Sequence, residues 1–186
     1  MRVLLNMMIA LMLALGGVAG VPATAAEIAT GAKVPAGFKA VDGSGRARNW
    51  ASIAGKKGTV LILFRSAKWC PFCQAQLKSL KDVQASLSQR GYGLAALSYD
   101  SPEVLAGFAV KAGIGYPLLS DQKSAMIDAF GLRDPAYAPG SYAYGVPKAS
   151  ILVVDAKGVL RWKSVATDYK IRADNAAILK AVDGLR

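Results

Sequence analysis

Two cysteines separated by two residues, in the segment Cys70-Pro71-Phe72-Cys73, constrain this chain more than any other feature. They follow an apolar run at residues 59–64 whose β-forming residues predict a buried central strand. After them, apolar residues recur at helical spacing as far as residue 89, and Gly91 ends the pattern. We therefore predict a strand, a CxxC motif and a helix over residues 70–89 in direct succession.

The motif has the chemistry of a redox-active disulfide. Cysteines at positions i and i+3 of a helix share one face and can join in a disulfide with little backbone movement. The start of a helix favours negative charge, so the pKa of the Cys70 thiol should fall and its reactive thiolate should form. Cys73 is then placed to attack a mixed disulfide at Cys70. A bridge across so short a loop adds little stability through chain entropy, which makes a purely structural disulfide the weaker alternative.

The composition excludes several competing chemistries. The chain has no histidine and only two cysteines, which excludes a Ser-His or Cys-His pair and the usual zinc sites. We predict no metal and no cofactor. The formal net charge is +11, but the basic residues are scattered. We therefore expect attraction to anionic surfaces or acidic partners, and no nucleic-acid binding.

Residues 1–26 are predicted to form a secretory signal peptide. Arg2 precedes an apolar run, glycines break that run, and Ala23-Thr24-Ala25 offers small residues for cleavage. An uncleaved membrane anchor is the alternative, because residues 3–26 could cross a bilayer. We expect cleavage near Ala26 or Glu27 and a single domain over residues 27–186. The mature protein is expected in the periplasm or outside the cell, without a membrane span.

The remaining segments predict an α/β fold. We expect a hairpin at 38–48, a strand at 92–98, a helix at 101–111, an extended piece at 116–119, a helix at 124–130, a loop at 131–145, a second hairpin from 149–154 and 159–163, and a helix at 174–182. Strands joined through helices should lie parallel, and the second hairpin adds an antiparallel strand. The result is a three-layer fold with a central mixed sheet and helices on both faces.

Three stretches, VLILFRSAKWCPFCQAQLKSL, SYDSPEVLAGFAVKAGIGYPLLSD and GVPKASILVVDAKGVLRW, resemble the peroxiredoxin-like branch of the alkyl hydroperoxide reductase/thiol-specific antioxidant family. This resemblance implies a thioredoxin-like fold in which Cys70 is the nucleophile and Cys73 its partner. It also implies a cis peptide bond at Pro147, which with Val146 would align a substrate against the motif. A trans proline, the commoner state, is the alternative.

The chain departs in two respects from the residue patterns of the families that it resembles. A typical peroxiredoxin has Thr or Ser three residues before the attacking cysteine and Pro seven residues before it. This chain has Ala67 and Leu63 at those two positions, and its nearest hydroxyl, that of Ser66, lies one residue before the expected position. Thioredoxin has a buried Asp six residues before its first cysteine, where this chain has Phe64. The hydroxyl that holds a peroxide and the buried proton acceptor are therefore both missing from their expected positions.

Three cationic residues are candidates for stabilising a thiolate or a bound anion. Arg65 and Lys68 lie just before Cys70 in the sequence. The alternative for Arg65 is a solvent-facing charge at the end of a strand. Arg172 resembles a late arginine of the peroxiredoxin-like group, although a surface position is the simpler expectation.

Five aromatic residues are candidates for contacting a substrate or partner. Trp69 and Phe72 are expected to form an apolar rim around the cysteines. Tyr137, Tyr142 and Tyr144 precede Pro147 in a loop, where they could line a partner groove or simply pack together.

The leading functional prediction is an exported thiol–disulfide oxidoreductase with an antioxidant role. It would act on protein or small-molecule thiols and disulfides and draw electrons from an unidentified donor. The alternative is a thiol-dependent peroxidase of the peroxiredoxin type, which would reduce hydroperoxides through Cys70. We rank it second because of the departures at Ala67 and Leu63. A third hypothesis, from another class, is a basic envelope-binding module with a structural disulfide.

Overall fold

A seven-stranded mixed sheet forms the centre of the part of the chain that the computed structural model describes, residues 25–185. Residues 1–24, most of the predicted signal peptide, lie outside the described residues. The strands are β1 (Lys39–Asp42), β2 (Ala47–Asn49), β3 (Gly58–Leu63), β4 (Tyr92–Ser98), β5 (Leu118–Ser120), β6 (Ser150–Asp155) and β7 (Leu160–Val165). Their order across the sheet is β2-β1-β5-β4-β3-β6-β7.

Strand β3 lies inside the sheet, as its continuous apolar run predicts. All six of its residues are buried. It pairs parallel with β4, placing Leu61 opposite Ala95, and antiparallel with β6, placing Leu61 opposite Leu152. β4 and β5 are also parallel, whereas β1 and β7 add antiparallel pairs at the two sides. The predicted mixed sheet is confirmed, and the first hairpin extends this same sheet.

Five helices flank the sheet among residues 25–185: α1 (Pro71–Ser79), α2 (Lys81–Gln89), α3 (Pro102–Ala112), α4 (Ala125–Ala129) and α5 (Asn175–Asp183). Side chains of α1, α2, α3 and α5 pack with Val60 and Ile62 on one face. Helix α4 and irregular N-terminal segments pack with Leu61 and Leu63 on the other. This alternation along β3 gives the predicted three-layer α/β fold. None of these helices is long and apolar enough to cross a bilayer.

The predicted single helix over residues 70–89 is wrong, because two helices meet at Leu80. At this junction, side chains from distant segments donate hydrogen bonds to backbone carbonyls of α1. The Tyr116 hydroxyl donates to the Leu77 carbonyl at 2.6 Å, and the Asn175 amide donates to the Ser79 carbonyl at 2.8 Å. Insertion of side chains into a helical ladder is a known cause of such breaks.

Candidate active site

A disulfide joins Cys70 and Cys73 where the chain passes from β3 into α1. Their Cα atoms are 5.3 Å apart. Cys70 is the N-cap residue, with extended backbone angles of φ −102° and ψ 100°, so it precedes the helix instead of sharing a helical face as predicted. The Cys73 backbone N–H points back to Cys70 Sγ at 3.3 Å. A thiolate at Cys70 would therefore accept an N–H that the helix leaves free.

The two sulfur-bearing side chains are nearly inaccessible, with Cys70 1% and Cys73 0% exposed. Two aromatic residues adjoin them in the sequence. Phe72 is 41% exposed and contacts the Tyr169 ring edge-on, at 5.9 Å between centroids. Trp69 is half-buried and donates its indole N–H to the Tyr99 hydroxyl at 3.0 Å. Trp69 packs against the buried cluster that contains both cysteines, and Phe72 is the ring that faces solvent.

Arg172 reaches the disulfide from the segment after β7. Its Nη2 lies 3.4 Å from Cys73 Sγ and 4.0 Å from Cys70 Sγ. Its guanidinium is held in place by hydrogen bonds to Gln76 Oε1 at 2.7 Å and to the Tyr169 carbonyl at 2.7 and 3.0 Å. The expectation of a surface position is therefore wrong: the side chain is half-buried, with its charge directed at both sulfur atoms.

Arg65 is buried, only 2% exposed, two residues after the end of β3. Its Cζ lies over three aromatic rings, at 5.2 Å from the Trp69 centroid, 4.9 Å from Tyr137 and 4.2 Å from Tyr169. Its Nη2 donates to the Tyr137 hydroxyl. Its Nε is buried without a hydrogen-bond partner in the described structure. The alternative of a solvent-facing charge is excluded.

The two guanidiniums give the site a concentrated positive charge. Burial, followed by the nearby charge of Arg65, lowers the pKa of Arg172 to about 10. Arg172 therefore stays cationic at neutral pH, and neither arginine has an ion pair with a carboxylate among residues 25–185. A nearby cation favours the charged form of a thiol. Lys68, by contrast, is exposed.

Asp100 is a buried acid at the site that the sequence analysis missed. Its carboxylate accepts the backbone N–H of Ala67 at 2.6 Å and the hydroxyls of Ser66 at 2.8 Å and Ser98 at 3.2 Å. Burial raises the pKa of Asp100, against these hydrogen bonds. One signal could have revealed it: Asp100 follows β4, and adjacent parallel strands end at the same sheet edge.

Ser66 connects Asp100 to the turn that leads into Cys70. While its hydroxyl donates to Asp100, its Oγ accepts the backbone N–H of Lys68 at 2.9 Å and of Trp69 at 3.4 Å. This hydroxyl therefore organises backbone instead of standing free to hold a substrate.

The expected cis bond at Pro147 is wrong, since the described chain contains no cis peptide bond. Backbone hydrogen bonds hold extended chain on both sides of this proline. The Asp134 N–H donates to the Val146 carbonyl at 2.9 Å, and the Lys148 N–H donates to the Leu132 carbonyl at 2.7 Å. Val146 and Pro147 are both buried in this pairing, and the peptide bond between them is trans.

The three loop tyrosines divide between two arginines. Tyr137 and Tyr142 contact each other edge-on at 5.9 Å, and Tyr137 also packs on Arg65. Tyr142 is 77% exposed. Tyr144 instead lies against the Arg133 guanidinium, 4.7 Å from its Cζ. Tyr137 and Tyr142 thus pack with Arg65 and Trp69, whereas Tyr144 packs with Arg133.

The arrangement suits two-electron thiol chemistry. Two sulfurs can form or release a disulfide without another redox group, and a fixed guanidinium stabilises the thiolate. Between residues 25 and 185, no cluster of three or more His, Cys, Asp or Glu side chains could hold a metal ion.

A family model, sequence relatives and a solved structure all relate this chain to the same family. Residues 30–163 match the model of the AhpC/TSA family. A Mycobacterium tuberculosis (strain H37Rv) protein assigned to the peroxiredoxins, Rv2521, is 30% identical over 147 residues, covering 79% of this chain and 88% of the relative. Escherichia coli K12 peroxiredoxin Bcp is 28% identical over 142 residues, covering 76% and 88%. The crystal structure of the M. tuberculosis peroxidoxin BcpB has the same fold, with a TM-score of 0.72 at 21% identity, covering 84% of this chain and 97% of that one.

Proposed function

Because this chain belongs to the AhpC/TSA family of peroxiredoxin-like, thioredoxin-fold oxidoreductases, we propose that it is a thiol-dependent peroxidase that reduces hydroperoxides through Cys70 and Cys73. The observation that supports this proposal best is the position of the Arg172 guanidinium, whose Nη2 lies 3.4 Å from Cys73 Sγ and 4.0 Å from Cys70 Sγ. The relatives reverse the order of our two enzyme hypotheses, and they give no support to a non-enzymatic envelope-binding module.

The proposed reaction balances in three steps. The Cys70 thiolate attacks the terminal oxygen of ROOH, so an S–O bond forms, the O–O bond breaks, and the departing RO⁻ takes a proton to become ROH. The Cys73 thiol then loses its proton and attacks Cys70 Sγ of the sulfenic acid, so the S–S bond forms, the S–O bond breaks, and the departing hydroxide takes up a proton to become water. An external dithiol finally donates two electrons and two protons, becomes a disulfide itself and restores both thiols.

The positive charge supplies part of what the missing family residues would provide. Ala67 offers no hydroxyl to a peroxide. Arg172 carries N–H donors beside both sulfurs, where negative charge develops on the leaving oxygen. The helix-terminal N–H of Cys73 adds a further stabilising group for a Cys70 thiolate. These two sources of stabilisation support the peroxidase proposal despite the departures from the family pattern.

A thiol–disulfide oxidoreductase is the second candidate function, favoured by the exposed aromatic rim. Phe72 and Tyr142 present large apolar surfaces beside the disulfide, as a docking site for a protein substrate would. Cys70 would then attack a partner's disulfide, and Cys73 would release the partner. A reduction potential around −270 mV would favour a reductase and about −120 mV an oxidase.

We also propose that the protein acts outside the cytoplasm after removal of residues 1–26. The layout of that segment supports export. Glu27, the expected new terminus, is held by Lys163 at 2.7 Å and Lys148 at 3.4 Å, so the folded contacts would survive cleavage there. Mass spectrometry of protein from the native host should find Ala26 or Glu27 first, and an intact Met1 would contradict export by cleavage.

Hydroperoxide consumption tests the proposed function directly. The protein should consume hydrogen peroxide catalytically with dithiothreitol as donor, and Cys70→Ser should abolish turnover. The matched control is Ser79→Ala, which changes an exposed hydroxyl that bonds only its own helix. Consumption no faster than with dithiothreitol alone would reject the peroxidase and leave the thiol–disulfide oxidoreductase.

A further inference from the structure

The buried guanidinium of Arg65 lacks a counter-ion. It has no carboxylate partner among the described residues, and its Nε makes no hydrogen bond there. Burial of an unpaired charge is costly, and arginine cannot escape the cost by losing its proton. The aromatic faces of Trp69, Tyr137 and Tyr169 compensate only in part. Such a group is suited to pairing with an anion from outside the chain.

A cavity of about 880 Å³ opens beside Arg65, within the size range of small-molecule sites. Tyr137 and Tyr169 line it together with Arg65, and Ala149 and Val165 contribute apolar surface. The wall exposes more apolar than polar surface and carries two cations, Arg65 and Lys148. Lys148 is paired with Glu27, whereas Arg65 is buried and has no carboxylate partner, so Arg65 is the group that could pair with a single negative group of an organic molecule.

The carboxylates that line the same cavity already have partners of their own. They are Glu27, paired with Lys148 and Lys163; Asp134, which accepts the Ala136 N–H; and Asp168, which accepts the Lys170 N–H. None of them pairs with Arg65. Among residues 25–185 no carboxylate is the counter-ion of Arg65, so an anionic ligand in the cavity would supply the missing negative charge.

Tyr169 links this cavity to the disulfide. Its ring lies 4.2 Å from Arg65 Cζ, and its backbone carbonyl accepts hydrogen bonds from Arg172. Arg172 in turn contacts both Cys70 and Cys73. Two residues, Tyr169 and Arg172, thus lie between Arg65 and the redox pair.

We infer that the cavity binds an organic hydroperoxide that carries a carboxylate. Arg65 pairs with the carboxylate, and the two cysteines reduce the hydroperoxide group. The inference rests on the proposed peroxidase function for the reduction step, whereas the carboxylate site stands on Arg65 and the cavity. Arg65 is on this account a specificity-determining residue for carboxylate-bearing substrates.

Two hydroperoxides that differ by one carboxylate test this inference: cumene hydroperoxide and 4-(2-hydroperoxypropan-2-yl)benzoate. Oxidation of the reduced protein, followed by Trp fluorescence in a stopped-flow instrument, should be at least about tenfold faster with the carboxylate, as expected for a charge-assisted hydrogen bond. Arg65→Met should bring the ratio of the two oxidation rates close to one, and this ratio is the readout because the variant can also change the reactivity of the thiol toward both hydroperoxides.

The matched control is Arg161→Met, which removes one positive charge from an exposed arginine paired with Asp155. It should keep the full preference, so a general loss of positive charge is separated from the loss of Arg65. Arg65→Lys provides a second variant in case Arg65→Met does not fold. It keeps the charge without the guanidinium fork and should lose most of the preference. Preference retained in either folded Arg65 variant would overturn the inference.

Failure of the inference and failure of the proposed function give different results. Equal and fast oxidation by both hydroperoxides overturns the carboxylate site and leaves the peroxidase intact. If neither reacts faster than a free thiol, the peroxidase fails and so does the substrate assignment. Calorimetric titration of the disulfide form with 4-(2-hydroxypropan-2-yl)benzoate then decides the anion site alone. Binding that Arg65→Met removes supports the site, and no binding to the wild type rejects it.

Discussion

Arg172 Nη2 lies 3.4 Å from Cys73 Sγ, although the two residues are 99 positions apart in the sequence. The contact joins the segment after β7 to the first turn of α1. The charge beside the disulfide is therefore set by the tertiary fold. It also makes the reactivity of the thiols testable by changing a residue far from the CxxC motif.

Arg172→Met should raise the pKa of the reactive thiol and slow its oxidation by hydrogen peroxide at least about tenfold, because a cation near a thiolate favours the ionised form. Iodoacetamide alkylation of the reduced protein across pH reports the thiol pKa. Arg161→Met, which removes an exposed arginine paired with Asp155, is the control. An unchanged thiol pKa in Arg172→Met would show that this charge does not act on the sulfurs.

Asp100→Asn should lower the free energy of unfolding by roughly 1–3 kcal/mol, since an amide cannot replace a carboxylate that accepts three buried hydrogen bonds. Urea unfolding monitored by circular dichroism measures this change. Asp134→Asn is the matched control, because the Asp134 carboxylate bonds only a nearby N–H in an exposed turn. Equal effects of the two substitutions would contradict the structural role of Asp100.

The effect of Asp100→Asn should also depend on pH. Burial raises the pKa of Asp100 in the folded protein. At pH values between the pKa of the unfolded chain, about 3.9, and the higher pKa of the folded protein, the folded state therefore binds more protons than the unfolded state. Wild-type stability from this group is therefore highest below that unfolded value and declines as pH rises through the folded pKa. Unfolding should show a larger cost of Asp100→Asn at about pH 4 than at neutral pH. A cost that grows toward neutral pH would mean that the folded pKa is lowered.

Ser66→Ala should disturb the turn before Cys70, because one hydroxyl both donates to Asp100 and accepts the Lys68 N–H. We expect a loss of about 1–2 kcal/mol in the free energy of unfolding together with slower alkylation of Cys70. Ser79→Ala, at an exposed hydroxyl within α1, should change neither quantity by a comparable amount. Wild-type stability and alkylation in Ser66→Ala would show that this network does not position the nucleophile.

The sequence predicted the elements whose signals are local. Strand β4 has the predicted bounds, Tyr92–Ser98. Helix α3 begins after the capping Ser101, whose hydroxyl oxygen accepts the Val104 N–H, and ends at Gly113 in a left-handed conformation. Continuous apolar runs, side-chain caps and glycines act over a few residues, so they can be read without the fold.

The sequence did not reveal features that depend on distant partners. The helix break at Leu80 involves Tyr116 and Asn175, which follow it by many residues. The contact of Arg172 with the sulfurs and the network of Asp100 likewise need the sheet edge to be assembled first. Resemblance also misled at Pro147, whose peptide bond is trans and whose neighbours pair with the irregular segment at residues 132–134.

The most direct test of the account is to locate the sulfenic acid that one equivalent of hydrogen peroxide forms in each single-cysteine variant. After rapid mixing and trapping with dimedone, peptide mass spectrometry should find the adduct on Cys70 in Cys73→Ser, at a rate far above that of free cysteine. Cys70→Ser should be labelled slowly, because its remaining thiol, that of Cys73, does not lie at the N-cap of α1. Rapid labelling of Cys73 in Cys70→Ser, or labelling of neither variant faster than free cysteine, would contradict Cys70 as the peroxide-reducing nucleophile.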